Sequence, residues 1–126
     1  GLLDQIAEES GILVRLDTLG SPYPLYPSDE FILYRNAQEA ITNAIRHGKA
    51  TEVTIRLEYA PSRLSMSVSN NGAVPSTAEL RKGLGLLGME ERLRVVGGEL
   101  IISSDPVFTI KTVLPRRGDT HHMEGA

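Results

Sequence analysis

Two stretches of this sequence carry residue types that could handle phosphate. The first is Arg35-Asn36-Ala37-Gln38-Glu39-Ala40-Ile41-Thr42-Asn43-Ala44-Ile45-Arg46-His47. Leu33, Ala37, Ala40, Ile41 and Ala44 recur in and just before it at the spacing of one helix face. A second stripe, Asn36, Glu39, Asn43 and His47, runs at spacings of three and four, so these side chains share a face beside the apolar one. A solvent-facing stripe is more often Lys and Glu. Amides around a single carboxylate suit other chemistry. Asn offers a neutral oxygen to a magnesium shell, and Glu39, one turn before Asn43, could orient or deprotonate a nucleophile. Taken alone, the stripe also reads as a plain polar helix edge.

The second stretch is Gly83-Leu84-Gly85-Leu86-Leu87-Gly88. Its spacing matches a dinucleotide fingerprint, but that motif comes directly after a strand and has an acid about 20 residues on. Here a polar segment precedes it and Gly97-Gly98 interrupts the residues after it. A Walker loop is excluded because the segment lacks a trailing Gly-Lys-Ser/Thr. The physical content survives. Glycines let a ligand approach the backbone, and a helix opening near Met89 would aim N–H groups and a positive dipole end at an anion. A flexible glycine-rich loop fits as well. A third segment, Val68-Ser69-Asn70-Asn71-Gly72, is by itself a turn signal.

Periodicity supplies the helices and strands that would hold these residues. Residues 2–9 predict a short amphipathic helix ending near Gly11, and Ile12–Asp17 a strand. Gly20–Pro27 is a proline-spaced connector. Ser28 is expected to cap a helix running to about His47, with Asp29 and Glu30 in its first turn and Gly48 stopping it. Thr51–Tyr59 and Arg63–Ser69 predict a hairpin. Ala73–Lys82 shows no strong pattern, Met89–Val96 predicts a third helix, and Glu99–Ser103 with Phe108–Leu114 a second hairpin. Short-turn strand pairs with helices on one face predict an α/β (α+β) two-layer sandwich with antiparallel pairing and three helices on one face. Residues 1–115 form the expected domain and 116–126 an expected disordered tail.

Composition excludes several classes. A length of 126 residues suits one domain. With no cysteine, disulfides and thiolate metal sites are excluded. A net charge of −3 gives no reason to expect the basic face that nucleic-acid binding usually needs. No apolar run approaches the roughly 18 residues of a membrane span, so no direct membrane contact is expected of this segment. His121-His122 could suggest a metal site, but adjacent residues in a tail rarely form one.

The three motifs, in this order, resemble the GHKL ATPase superfamily, whose Bergerat-type fold implies a mixed, largely antiparallel sheet. Within it the likeness is to NarL/DesK-type sensor histidine kinases, over about residues 1–115. Arg35–His47 looks like their N box. Gly83–Leu93 looks like their second glycine box and the helix after it, and Gly97-Gly98-Glu99-Leu100 like their C-terminal pattern. The resemblance implies ATP and Mg²⁺ as ligands. It implies that Asn43 coordinates magnesium and that Glu39 polarises the attacking nucleophile. Arg46 would reach a phosphate, and His47 would lie next to the nucleotide without being the phosphorylated histidine. Gly83, Gly85 and Gly88, with Leu86 and Leu87 between them, would cradle phosphates through backbone groups. Ala73–Lys82 would be a short ATP lid whose Lys82 approaches the phosphates. Asn70 and Gly72 occupy the adenine-binding box, which usually reads D-x-G-x-G. Here the acid is replaced by Asn70 and the second glycine by Val74. A neutral acceptor in place of a carboxylate predicts adenine binding weaker by about 1 kcal/mol, or several-fold.

The implied partners are the dimerisation and histidine-phosphotransfer domain of the same kinase and a NarL-type response regulator. The implied location is cytoplasmic, with any membrane anchor elsewhere in the full-length protein. Two other readings stay open on sequence alone: a degenerate GHKL domain acting as a regulatory protein-binding module, and an anti-sigma-type serine kinase.

Overall fold

The computed structural model describes residues 2–81, 83–104 and 107–117. Lys82 and the His121-His122 pair lie outside them. In chain order the elements are α1 (Leu2–Ser10), β1 (Leu13–Gly20), α2 (Pro27–Arg46), β2 (Glu52–Tyr59), β3 (Arg63–Asn70), α3 (Thr77–Arg81), α4 (Leu86–Val95), β4 (Glu99–Ser103) and β5 (Thr109–Pro115). The strands form one sheet in the order β1-β2-β3-β5-β4. The expected hairpins β2–β3 and β4–β5 are antiparallel, as is β3–β5. Only β1–β2 is parallel, because α2 carries the chain across between them.

Alternation along the strands decides which face is covered. Val53 and Ile55 of β2, Leu64, Met66 and Val68 of β3, and Ile110 and Leu114 of β5 are all buried. The register aligns them, with Ile55 opposite Val68 and Leu64 opposite Leu114. Against this face pack Leu33, Ala37, Ala40, Ile41 and Ala44 of α2 and Met89 and Leu93 of α4. The small alanines let α2 lie close to the sheet. The opposite face carries Thr54, Arg56, Glu58 and Ser67.

Several local expectations need correcting. Ser28 does not cap α2; Tyr26 is the N-cap without a side-chain bond, and Pro27 opens the helix, where its missing N–H costs nothing. Gly48 does not take the left-handed conformation after α2. Lys49 does, at φ 52°. Gly48 serves another need, since a Cβ there would lie 2.9 Å from the Ala44 carbonyl oxygen and 3.3 Å from that of Ala73. The third expected helix starts at Leu86, earlier than Met89. A fourth helix, α3, lies inside Ala73–Lys82. It opens with a capping box: the Ser76 N–H donates to Glu79 Oε1 at 2.8 Å, and the Glu79 N–H donates to Ser76 Oγ at 3.1 Å. The expected tail begins at Arg116, yet two of its residues dock on the domain. Arg116 lies over the Tyr23 ring at 4.0 Å, and Arg117 pairs with Asp29. Residues 118–126 lie outside the described part.

Candidate nucleotide site

The α2 stripe and the glycine segment meet. Asn43 donates from Nδ2 to the Leu84 carbonyl oxygen. A carbonyl can only accept, so the nitrogen of this amide is fixed on Leu84 and its oxygen, Oδ1, is the end left for a cation. One turn earlier Glu39 lies against Gly85, where a Cβ would sit 2.6 Å from Glu39 Oε2. Glu39 Oε2 is buried and has no hydrogen-bond partner among the described residues. Its other oxygen, Oε1, accepts from Arg92 Nη2 at 2.8 Å and from Arg35 Nη2 at 3.4 Å.

The backbone of the glycine segment explains its composition. Gly83, Leu84 and Gly85 all have positive φ, at 118°, 28° and 75°. Side-chain residues avoid this region, so Gly83 and Gly85 are needed for conformation, and Leu84 is held there against preference. Gly85 is the N-cap of α4 and supplies no side-chain bond. The Leu86 N–H reaches the Gly83 carbonyl and the Met89 N–H that of Gly85. Between them, the Leu87 and Gly88 N–H groups have no backbone partner among the described residues, leaving first-turn donors for an anion. The Leu86 side chain belongs to the core, so only its backbone can serve a ligand directly, while that of Leu87 is exposed.

The other predicted residues are placed less uniformly. Asn36 shares the stripe by spacing but is fully buried. It donates to Thr112 Oγ1 of β5 at 3.1 Å and accepts from Arg92 Nε at 3.2 Å. It is a strut between layers, not a ligand group. Arg46 is exposed at the last residue of α2. His47, the C-cap, is exposed, with Nδ1 4.0 Å from Glu79 Oε2 of α3. Hydrogen bonds from the Ser76 backbone and hydroxyl hold the Glu79 carboxyl below the usual glutamate range, helped by His47.

Asn70 ends β3, and its Oδ1 accepts the Gly72 N–H at 2.7 Å. A Cβ on Gly72 would lie 2.3 Å from the Gly48 carbonyl oxygen. Gly72 is therefore glycine so that this loop can pass the end of α2. The Ala73 N–H bonds to the same Gly48 oxygen at 2.9 Å. The neighbouring Asn71 accepts the Thr51 and Glu52 N–H groups. This fastening sets Asn70 beside the C-terminal end of α2, the helix that carries Glu39 and Asn43.

Sequence reasoning assigned no role to Arg92, although it joins α4 to both Asn36 and Glu39. No local pattern could reveal a pair separated by 53 positions. A cavity of about 390 Å³ lies elsewhere, between α1, β1 and the N-terminal half of α2, lined by Leu16, Leu33, Tyr34 and Tyr59 among others. Neither Glu39 nor Asn43 lines it. What marks the candidate site is donor and acceptor chemistry, not volume. That chemistry fits magnesium. The described residues hold no group of three His, Asp or Glu able to cage a metal, and magnesium is normally held by one or two protein oxygens with substrate phosphates completing the shell.

A sequence profile for the histidine kinase-, DNA gyrase B- and HSP90-like ATPases matches residues 28–118. The chain belongs to this ATPase family. Among its relatives, the sensor histidine kinase YxjM of Bacillus subtilis (strain 168) is 37% identical over 105 residues, covering 82% of this chain and 25% of the relative. The sensor histidine kinase MctS of Rhizobium johnstonii is 36% identical over 112 residues, covering 86% of this chain and 24% of the relative. The chain thus spans about a quarter of these curated relatives. The ATP-binding domain of PrrB from Mycobacterium tuberculosis shares the fold, with a TM-score of 0.67, 24% identity and 90% of each chain covered. Within the ATPase family the likeness is to sensor histidine kinases, which does not favour the protein-binding-module and serine-kinase readings. No helix among the described residues is long and apolar enough to cross a membrane.

Proposed function

We propose that this domain binds ATP with magnesium and supplies the γ-phosphate to a histidine on a separate dimerisation domain of the same kinase, for relay to a NarL-type response regulator. The observation that carries this reading is the meeting of Glu39 and Asn43 with the Gly83–Gly88 segment. A carboxylate, an amide oxygen and backbone N–H groups without a backbone partner among the described residues converge where a triphosphate needs them. Magnesium, held by Asn43 Oδ1 together with phosphate oxygens, would neutralise charge on the phosphates when bound. Asn43, with its Nδ2 fixed on the Leu84 carbonyl, keeps Oδ1 free for the ion. The Leu87 and Gly88 N–H groups then hold phosphate oxygens, while Asn70, through its amide oxygen, accepts from the adenine amine. Arg46 and His47, at the end of α2, are candidate phosphate contacts, and Lys82 is a candidate lid contact by its place in the sequence alone.

In the transfer step the lone pair of one imidazole nitrogen attacks the γ-phosphorus. A phosphorus–nitrogen bond forms as the bond to the β,γ-bridging oxygen breaks, and ADP leaves. Glu39 Oε2 takes the proton from the other ring nitrogen. The domain works in the cytoplasm, where ATP is supplied. The reading is tested by giving the intact kinase ATP labelled in its γ-phosphate. Acid-labile, base-stable label on a histidine is expected, with the rate reduced at least about a hundredfold in Glu39→Gln. Absence of labelled histidine in the parent contradicts it.

A further inference from the structure

We propose that Arg92 is a positioning residue for Glu39, fixing which carboxylate oxygen faces the acceptor; this rests on the phosphotransfer reading above. Arg92 projects from α4 and makes two bonds to α2: Nη2 to Glu39 Oε1 at 2.8 Å and Nε to Asn36 Oδ1 at 3.2 Å. Asn36 is itself anchored on Thr112 of β5 at 3.1 Å. A rigid guanidinium tied at two points has little freedom to turn, so the Glu39 carboxylate is tied with it. Arg35 also reaches Oε1, but at 3.4 Å and from a more exposed side chain, 40% against 23% for Arg92. The shorter, more shielded bond governs.

The consequence lies at the other oxygen. With Oε1 occupied, Oε2 is turned toward Gly85, buried and without a partner among the described residues. An unsatisfied buried oxygen is costly and calls for an explanation. Here the explanation is a proton donor that arrives only during reaction. The Gly85 backbone lies against that oxygen, and a Cβ there would stand 2.6 Å from it. Arg92 stands on the helix whose N-terminus the glycine segment forms, so the element that grips phosphate also sets the direction of the base. A mere interhelical strut would use the same contacts for stability and nothing else.

The two roles separate in the intact kinase. Single-turnover histidine phosphorylation at saturating ATP is measured for the parent, Arg92→Met and Arg92→Lys, with calorimetric affinity for a non-hydrolysable ATP analogue on the same proteins. Positioning predicts a rate at least about thirtyfold lower in Arg92→Met with affinity changed less than about threefold. Arg92→Lys, which keeps the charge without the fork, recovers part of the rate. A rate within about threefold of the parent in Arg92→Met overturns the inference, as does a loss of rate, affinity and melting temperature together in both variants. If Arg92→Met fails to fold, Arg92→Lys decides: a lowered rate at parent-like affinity supports positioning, and a parent-like rate overturns it. A parent that neither binds nucleotide nor phosphorylates histidine sinks the phosphotransfer reading itself, and is seen before any variant is compared.

Discussion

Gly85 and Glu39 are in contact across the two helices that build the site: any Cβ on Gly85 would lie 2.6 Å from Glu39 Oε2. Gly85 also sits at φ 75°. Gly85→Ala therefore meets a clash and a conformational penalty together. It should lower unfolding stability by about 1–3 kcal/mol and weaken binding of an ATP analogue. Gly88 provides the control, because a Cβ there meets only Arg92 Nη1 at 3.7 Å, ordinary contact distance. Gly88→Ala should fold with parent-like stability in urea titrations. Equal stabilities for the two variants would mean that the glycine segment does not lie on Glu39.

Asn70 offers a neutral oxygen already shared with the Gly72 N–H at 2.7 Å. Asn70→Asp keeps that bond and adds a second, charged oxygen. ATP should bind about three- to tenfold more tightly in the variant, as expected for a charge-assisted bond replacing a neutral one. Calorimetry on parent and variant checks this, and unchanged affinity would place adenine elsewhere.

Arg117 holds Asp29 by two bonds, Nη2 to Oδ1 at 2.7 Å and Nε to Oδ2 at 3.2 Å, and Asp29 is 4% exposed. Removing the arginine leaves a buried carboxylate without its counter-charge. Arg117→Ala should cost about 3 kcal/mol in chemical denaturation, and pairing it with Asp29→Asn should recover part of the loss. A cost within about 0.5 kcal/mol, usual for surface changes, would show that Arg117 is the free tail residue its sequence suggests.

Glu79 ties the start of α3 to its own carboxylate, and its pKa is lowered chiefly by the Ser76 backbone bond. A depressed folded value means that the cap is fully present above the ordinary glutamate value and is lost as pH falls through the lower, folded one. The Ser76 amide resonance should therefore titrate with a midpoint below about pH 4.3, the unperturbed glutamate value, and its acid exchange protection should vanish with it. Glu79→Gln should abolish that titration. A Ser76 midpoint at or above the unperturbed value contradicts the capping box.

Periodicity made most of the fold legible. The apolar stripe of α2 and the alternating strands 52–59 and 63–70 read directly as elements because burial repeats with their geometry. The stripe of Glu39 and Asn43 and the glycine segment were each open to a plain reading, and only their order along the chain, through its resemblance to the GHKL motifs, made them a candidate site. The features that escaped depend on tertiary contact. Lys49, and not Gly48, takes positive φ because Gly48 is needed where Ala73 and Gly72 press against it. Arg92 and Glu39 meet only after α4 packs on α2, and Arg117 finds Asp29 across 88 positions. The capping box of Ser76 and Glu79 was visible in the letters, but a helix of five residues has no periodicity to announce it.

Magnesium-dependent nucleotide binding through Asn43 is tested by calorimetric titration of this chain with a non-hydrolysable ATP analogue, with and without magnesium, in the parent and in Asn43→Ala. Magnesium should strengthen binding at least about tenfold in the parent, with that strengthening lost in Asn43→Ala while the variant stays folded. Binding indifferent to magnesium, or a variant that responds to magnesium as the parent does, would contradict a nucleotide site built on Asn43 and the Gly83–Gly88 segment.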